Sequence, residues 1–275
     1  MSFSLILLAA GKSTRFKSNL AKPYHKIASK TLLEITLSKM KQFKQIKKII
    51  ILYNKKDLKK LKKLSIQNVQ LVLGGNTRQE SAYIGLKYLN RYRGINKVLI
   101  HDAARPNFSL KLINKIISNS KKFKTIIPAI NIQDAIKYKD KNSTIKNLKR
   151  DKFFLTQTPQ CFDKKEIFDL HKRNKKYYLD DDFSLIRNLK DVKFISGEKS
   201  NIKITEKNDI IFLKNSLKAK MSVGIGFDVH RLVKNKKLFL AGLSIPSKLG
   251  TEGHSDGDPV LHSIIDAILG ATKLG

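Results

Sequence analysis

Short apolar runs punctuate the first half of the chain, at Leu5 to Leu8, Ile49 to Tyr53, Val69 to Leu73, Val98 to Ile100 and Thr125 to Ile130. Leu5 to Leu8 is continuously apolar, as a strand covered on both faces requires. Between the runs, Leu32 to Phe43 and Leu110 to Ile117 repeat their apolar residues at helical spacing. Strands alternating with helices predict an α/β fold: a mainly parallel sheet with helices on both faces. Such sheets bind ligands at the carboxyl ends of their strands, so the polar clusters that follow each run are where chemistry is expected.

The opening stretch "LILLAAGKSTRF", Leu5 to Phe16, admits two readings. In an export signal the positive charges precede the apolar run, whereas here Lys12 and Arg15 follow it. A buried strand that opens at Gly11 onto a phosphate-binding loop fits better. The Walker spacing of glycines is absent, which disfavours a P-loop ATPase.

Length and composition narrow the picture. A chain of 275 residues buries a substantial core and suggests one large domain plus something smaller. A new glycine-rich stretch after Met221 sets the expected division at 1–220 and 221–275, with Lys218 to Lys220 as a linker. No apolar run reaches the roughly 18 residues of a membrane span. The single cysteine, Cys161, excludes an intramolecular disulfide and a cysteine metal cage, and fits a reducing, cytoplasmic setting. Lys and Arg number 56 against 22 Asp and Glu, a formal charge of +34. That excess raises nucleic-acid binding as an alternative. Yet the lysines are scattered, as in "KKDLKKLKKL" and "HKRNKKYY", and neither zinc-finger spacing nor an aromatic RNA-binding signature accompanies them. Any anionic substrate would still be attracted.

Three clusters follow the predicted strands. After the first, "AAGKSTRF" and "AKPYHKI" combine a glycine turn with Arg15 and Lys22, a setting for a nucleoside triphosphate. After the Val69 strand, "LGGNTRQES" offers Gly74 and Gly75 for close backbone approach to a base, or simply a strand-to-helix turn; Thr77 and Glu80 predict a capping box. After the Val98 strand, "HDAARP" delivers His101, Asp102 and Arg105 together, a pattern that also suits a structural ion pair. In the second segment Asp228 and His230 are two apart, so on a strand both point to one face. Asp258 and Pro259 predict the start of a helix with the apolar stripe Val260, Leu261, Ile264, Ile265, Ile268 and Leu269, and with His262 and Asp266 beside it. These groups suggest a divalent-metal site.

The ordered motifs "LAAGKSTRF", Lys22, "GGNTRQES", "HDAARP", "TPQ" and "NIKIT" resemble those of 2-C-methyl-D-erythritol 4-phosphate cytidylyltransferases from Ser4 to about Leu217. The resemblance implies a Rossmann-like nucleotidyltransferase domain that joins the phosphate of methylerythritol phosphate to the α-phosphorus of CTP, with Mg2+ bound to the triphosphate. Arg15 and Lys22 match the transition-state stabilisers, and Arg150 and Lys203 the residues that hold the second substrate. Ala9, Ala10, Gly11, Gly75, Asn76, Ser81, Asp102 and Arg105 match nucleotide-binding positions. The segment "DAIKYKDKNSTIKNLKRDKF" matches a β-arm exchanged in a homodimer. Asn76 replaces a usual Asp, while Ala135 and Asp180 each replace a usual Thr. A related family acts on other polyol phosphates such as ribitol phosphate.

From Met221 the chain resembles the amino-terminal part of 2-C-methyl-D-erythritol 2,4-cyclodiphosphate synthases. That likeness implies Zn2+ or another divalent metal on Asp228, His230 and His262, with His254, Ser255 and Asp266 lining a substrate pocket at a trimer interface. The last residues, "GATKLG", fall before the second half of that α+β domain, so an incomplete synthase unit unable to complete its reaction is expected.

Overall fold

The computed structural model describes residues 1–11, 16, 20–64, 66–140, 144–174, 179–217, 222–253 and 257–274, with backbone alone for 215–217. It forms two compact units, Met1–Leu217 and Lys218–Gly275. Lys12, Arg15, His254, Ser255, Met221 and the linker Lys218 to Lys220 lie outside the described residues.

The first unit begins with β1 (Phe3–Leu8), the short strands β2 (Lys26–Ile27) and β3 (Lys30–Thr31), α1 (Leu32–Met40), β4 (Ile46–Tyr53), α2 (Leu58–Lys62) and β5 (Gln70–Leu73). It goes on through α3 (Arg78–Leu89), β6 (Lys97–Asp102), α4 (Leu110–Asn119), β7 (Thr125–Asn131), β8 (Ile136–Lys139) and β9 (Ile145–Leu148). β10 (Phe154–Thr156), β11 (Gln160–Asp163), α5 (Lys164–Arg173), β12 (Val192–Ser196) and α6 (Lys207–Leu217) complete it. All five expected strands are present, and the first expected helix stops at Met40 rather than Phe43.

The main sheet has the order β10-β7-β11-β6-β1-β4-β5, with β12 also paired to β7. β1 pairs in parallel with both β4 and β6, β4 with β5, and β12 with β7. β11, by contrast, runs antiparallel to its neighbours β6 and β7.

Burial on both faces explains the continuous apolar runs. Leu5 and Leu7, with Ile49, Ile51 and Leu99, pack under Leu33, Leu37 and Met40 of α1 and Leu112, Ile113 and Ile116 of α4. The intervening Ile6, with Ile50, Leu52, Val98 and Ile100, packs under Leu86 and Leu89 of α3 and Ile167 of α5. Each fully buried Leu or Ile contributes about 1.5–3 kcal/mol of transfer free energy. With both faces covered by helices, the strand ends are where a ligand can reach the sheet.

Helix starts are set by side-chain caps. At α1, Thr31 and Glu34 form a full capping box that the sequence reading did not anticipate. Ser109 caps α4 by accepting from the Leu112 amide. Among the described residues β8 and β9 pair only with each other, Ile136 opposite Leu148, and Tyr138 and Ile145 on them are exposed.

In the second unit β13 (Arg231–Lys234) pairs with β16 (Leu249–Glu252), and β14 (Leu238–Leu240) with β15 (Leu243–Ile245), before α7 (Pro259–Thr272). The Ala241–Gly242 turn takes φ of 52° and 79°, the left-handed pair that a two-residue hairpin demands. Asp258 caps α7 as expected, accepting from Val260 and Leu261, and also accepts from the Ala241 and Gly242 amides. One expectation fails and one pattern is not reflected in the packing. Residues 228–230 are not in a strand. The face of α7 that carries the packing is also not the isoleucine stripe, since Ile264, Ile265 and Ile268 are exposed. Instead Gly224 and Gly226 lie against the helix backbone, where a Cβ on Gly226 would stand 1.7 Å from the Ser263 carbonyl oxygen. Only the small residues of that face allow so close an approach.

Candidate functional site

Three strand ends converge in the first unit. Beyond β1 the ladder continues, the Ala9 amide donating to the Leu52 carbonyl at 2.9 Å; beyond β6 the Ala103 amide donates to Leu8 at 3.1 Å; and Gly74 donates to Tyr53 at 2.9 Å. These bonds align Ala9 to Gly11, Gly74 to Asn76 and Asp102 along one edge. Between them lies a cleft of about 160 Å³ lined by Ala10, Gly11, Lys22, Ser81, Asp102 and Lys203, among others. A second hollow, about 240 Å³, is lined by Arg78, Asp102, Arg105, Gln160, Asp180 and Lys203, among others.

The glycines serve differently from the sequence reading. Gly11 is not in the left-handed region, and a Cβ there would meet no protein atom. A Cβ on Gly74 would stand 2.4 Å from that of Ala10, so Gly74 lets two loops touch. On Gly75 it would strike the Glu80 side chain, at 2.3 Å.

The expected capping box at Thr77 is only half formed. Thr77 accepts from the Glu80 amide at 3.0 Å, while the Glu80 carboxylate takes the Asn76 amide at 2.7 Å instead of that of Thr77. Ser81 is buried, accepts from the Gly75 amide at 3.0 Å and donates to the Thr77 carbonyl at 2.9 Å. It braces the loop that leaves Asn76 exposed at the rim.

Asp102 is the electrostatic centre. Its Oδ1 accepts from Arg78 Nε at 3.1 Å and its Oδ2 faces Lys203 Nζ at 2.8 Å. Burial alone would raise its pKa, but Arg78, then Lys203, hold the carboxyl far below the usual carboxylate range. Arg78 also reaches Asp182 Oδ2 at 2.8 Å, and Asp182 Oδ1 meets His171 Nε2 at 3.0 Å. Arg78 lies inside "LGGNTRQES" and had no role in the sequence pattern, and Asp182 and His171 were not singled out there. No local pattern marks either residue, since both acquire their part through contacts across the fold.

His101 is corrected from cleft residue to core residue. Its ring is fully buried, with Nε2 3.1 Å from the Arg105 carbonyl and Nδ1 2.9 Å from Thr158 Oγ1. A carbonyl can only accept, so Nε2 carries the proton and Nδ1 accepts from Thr158, whose oxygen in turn accepts from the Asp102 amide. Burial pushes its pKa down to about 3, so the ring stays neutral. Arg105 lines the second hollow and donates to the Asn201 carbonyl at 2.8 Å.

Lys22 opens a single helical turn, Lys22–Tyr24, at the cleft; against the effect of burial, the Glu206 and Thr205 amides hold the Asp209 carboxyl below its ordinary range, and the Lys22 charge adds to them. Arg150 is exposed beside the β8–β9 pair, donates to the Gln133 carbonyl and lines neither hollow. Within one chain the structure therefore joins Lys22, Lys203 and Asp102, but not Arg150.

In the second unit the ligand atoms of Asp228, His230 and His262 lie within 4.8 Å of one another. Asp228 Oδ2 is 3.1 Å from His230 Nδ1 and 3.0 Å from His262 Nδ1. His230 Nδ1 is buried without a well-formed hydrogen bond, an orphaned nitrogen that a cation would satisfy. Gly253 makes room for that ring, since a Cβ there would stand 2.6 Å from it. Two imidazoles and one carboxylate make a donor set suited to zinc. Asp266 is exposed and does not join the trio.

Residues 3–218 match the family model of 2-C-methyl-D-erythritol 4-phosphate cytidylyltransferase, and residues 221–275 match the YgbB family. The chain is 48% identical over its full length to the bifunctional enzyme IspD/IspF of Pelagibacter ubique, of which it spans 72%. Among solved structures, the bifunctional IspDF of Campylobacter jejuni is 32% identical, with a TM-score of 0.67 over 100% of this chain and 71% of that one. The 4-diphosphocytidyl-2C-methyl-D-erythritol synthase of Anaerococcus prevotii is 35% identical with a TM-score of 0.70, covering 79% of this chain and 96% of that one. By these matches the chain belongs to the 2-C-methyl-D-erythritol 4-phosphate cytidylyltransferase family, in its bifunctional IspD/IspF form, a nucleotidyltransferase joined to a YgbB segment.

Proposed function

We propose that the cleft beside Asp102 carries out the family's reaction, transfer of CMP from CTP to 2-C-methyl-D-erythritol 4-phosphate with release of pyrophosphate. The observation that carries this reading is the convergence of Lys22, Lys203 and Asp102 on a glycine-lined edge of a parallel sheet. A phosphate oxygen of the alcohol phosphate bonds to the α-phosphorus of CTP as the bridging oxygen to the β-phosphorus departs with pyrophosphate. Both reactants are anions, so charge neutralisation and alignment dominate the barrier. Lys22 and Arg15 stabilise charge on the α-phosphate, and Lys203 orients the attacking phosphate. Ala9, Ala10, Gly11, Gly75, Asn76 and Ser81 frame the base and ribose, with Arg105 behind them.

Enzymes of this family use divalent metals. Asp102 offers a hard oxygen on the nucleotide side, which fits Mg2+; bound with CTP, that ion would offset the triphosphate charge. Arg150 reaches the cleft of a second copy through the β8–β9 pair, whose exposed Tyr138 and Ile145 support a homodimer. Asp228, His230 and His262 would hold Zn2+, which polarises a phosphate when bound. His254, Ser255 and Asp266 belong to the substrate side of that centre, in a trimeric arrangement. Among the described residues no helix is long and apolar enough to cross a membrane. The single, buried Cys161, which can form no disulfide within the chain, fits a cytoplasmic setting.

Incubation with Mg2+ and CTP, separately with methylerythritol phosphate and ribitol phosphate, tests the reading. CDP-methylerythritol in the first reaction is expected. Product only from ribitol phosphate, or from neither, would contradict it.

A further inference from the structure

We propose that Arg78, Asp182 and His171 form a positioning chain that holds the Asp102 carboxylate in place while Lys203 leaves it for the anionic substrate. The proposal rests on the assignment of the cleft to cytidylyl transfer.

Asp102 has two cationic partners of different character, one on each oxygen. Lys203 is a flexible ammonium with a side chain 37% exposed at the cleft, and a phosphate draws it away at little cost. Arg78 cannot follow. Its planar fork is pinned between Asp102 on β6 and Asp182, and Asp182 is pinned in turn by His171 on α5; both of those last side chains are 1% exposed. Arg78 borders both hollows, yet its Nε and Nη1 are committed to the two carboxylates and its Nη2 is buried without a hydrogen bond among the described residues, so its main effect is on Asp102. Without this chain, the departure of Lys203 would leave a nearly buried carboxylate with only the more distant Arg105 to offset it, and burial of an unpaired charge is costly. With it, Asp102 keeps its orientation and turns Oδ2 toward the cleft.

The same aspartate-rich turn is tied down separately. Asp181 Oδ2 accepts from Thr156 Oγ1 and from Gln160 Nε2, both at 2.7 Å, and Asp181 Oδ1 accepts from the Ser184 amide at 3.0 Å. Asp182 is thereby delivered to Arg78 by a loop already anchored to β10 and β11. Loss of the His171 bond alone should loosen Asp182 without releasing that loop.

The test is steady-state kinetics in both substrates, with thermal unfolding, on wild type, Asp182→Asn, His171→Phe and His171→Gln. Turnover should fall by about tenfold to a hundredfold in Asp182→Asn and His171→Phe, the range typical of groups that orient a catalytic residue. KM for either substrate should change little, because neither Asp182 nor His171 lines the cleft or the second hollow. His171→Gln keeps an N–H for Asp182 and should recover most of the turnover lost in His171→Phe. Full turnover in folded Asp182→Asn and His171→Phe, with only a lower unfolding temperature, would overturn the proposal. So would equal losses in the two His171 variants. An inactive wild type would instead overturn the assignment of the cleft.

Discussion

His101 and Asp102 are adjacent in sequence, both almost wholly buried, and pushed in the same direction for opposite reasons. Burial lowers the His101 pKa to about 3, disfavouring its charged form, whereas Arg78 and Lys203 overcome the burial penalty at Asp102 and keep it charged. The consequence for stability has a definite sign. Between pH 6.5 and 3 the unfolded chain protonates His101 and the folded one does not, so stability falls with pH by up to about 1.4 kcal/mol per unit. The depressed carboxylates Asp102 and Asp182 act only lower, below about pH 4, the ordinary carboxylate range. Urea unfolding across pH 4 to 6.5 should therefore show a slope that flattens in His101→Gln; an unchanged slope would refute the neutral ring. For catalysis, Lys22→Ala and Arg15→Ala should each lower turnover by about 10²–10³ with little change in unfolding temperature, as losing one pre-organised charge contact does. Asp102 and Lys22 were legible because each follows an apolar strand within a motif. Arg78, Asp182 and His171 were not, because their meaning lies in a contact between residues 78, 171 and 182 that no local pattern encodes.

Elements followed the sequence where burial alone decides them. The β1, β4 and β6 runs are apolar because both faces are covered, and their pattern needs no long-range knowledge. β11 carries only Gln160, Cys161, Phe162 and Asp163 between a turn and a helix, and its antiparallel insertion beside β6 depends on chain path rather than composition. In α7 the isoleucines of the apolar stripe are exposed, while Gly224 and Gly226 lie against the small Ser263 and Ala267 face. The β8–β9 pair makes its own prediction, since an isolated two-stranded ladder is marginal in water. If its Arg150 serves a neighbouring cleft, mixing inactive Arg150→Ala with inactive Lys22→Ala should restore part of the activity, up to the fraction of mixed dimers with one intact composite site. No recovery after verified subunit exchange would refute a shared arm. For the second unit, zinc titrated calorimetrically should bind wild type and lose most of its affinity in Asp228→Asn and His262→Ala, because each removes one of three ligands. Equal affinity in all three proteins would place the metal elsewhere.

Across the whole molecule the formal charge is +34, and in the cleft itself Lys22, Arg78 and Lys203 outnumber Asp102. The many cations beyond the cleft raise the local concentration of anionic substrates without specifying them. Specific chemistry lies instead in which phosphorus the cleft presents to the incoming phosphate. CTP labelled at the α-phosphorus, supplied with methylerythritol phosphate and Mg2+, measures this directly. The account predicts that the α-label appears in CDP-methylerythritol while label placed at the γ-position leaves in pyrophosphate. Transfer of the γ-label to the alcohol phosphate, or retention of the α-label in a free nucleotide as the alcohol phosphate is consumed, would contradict it.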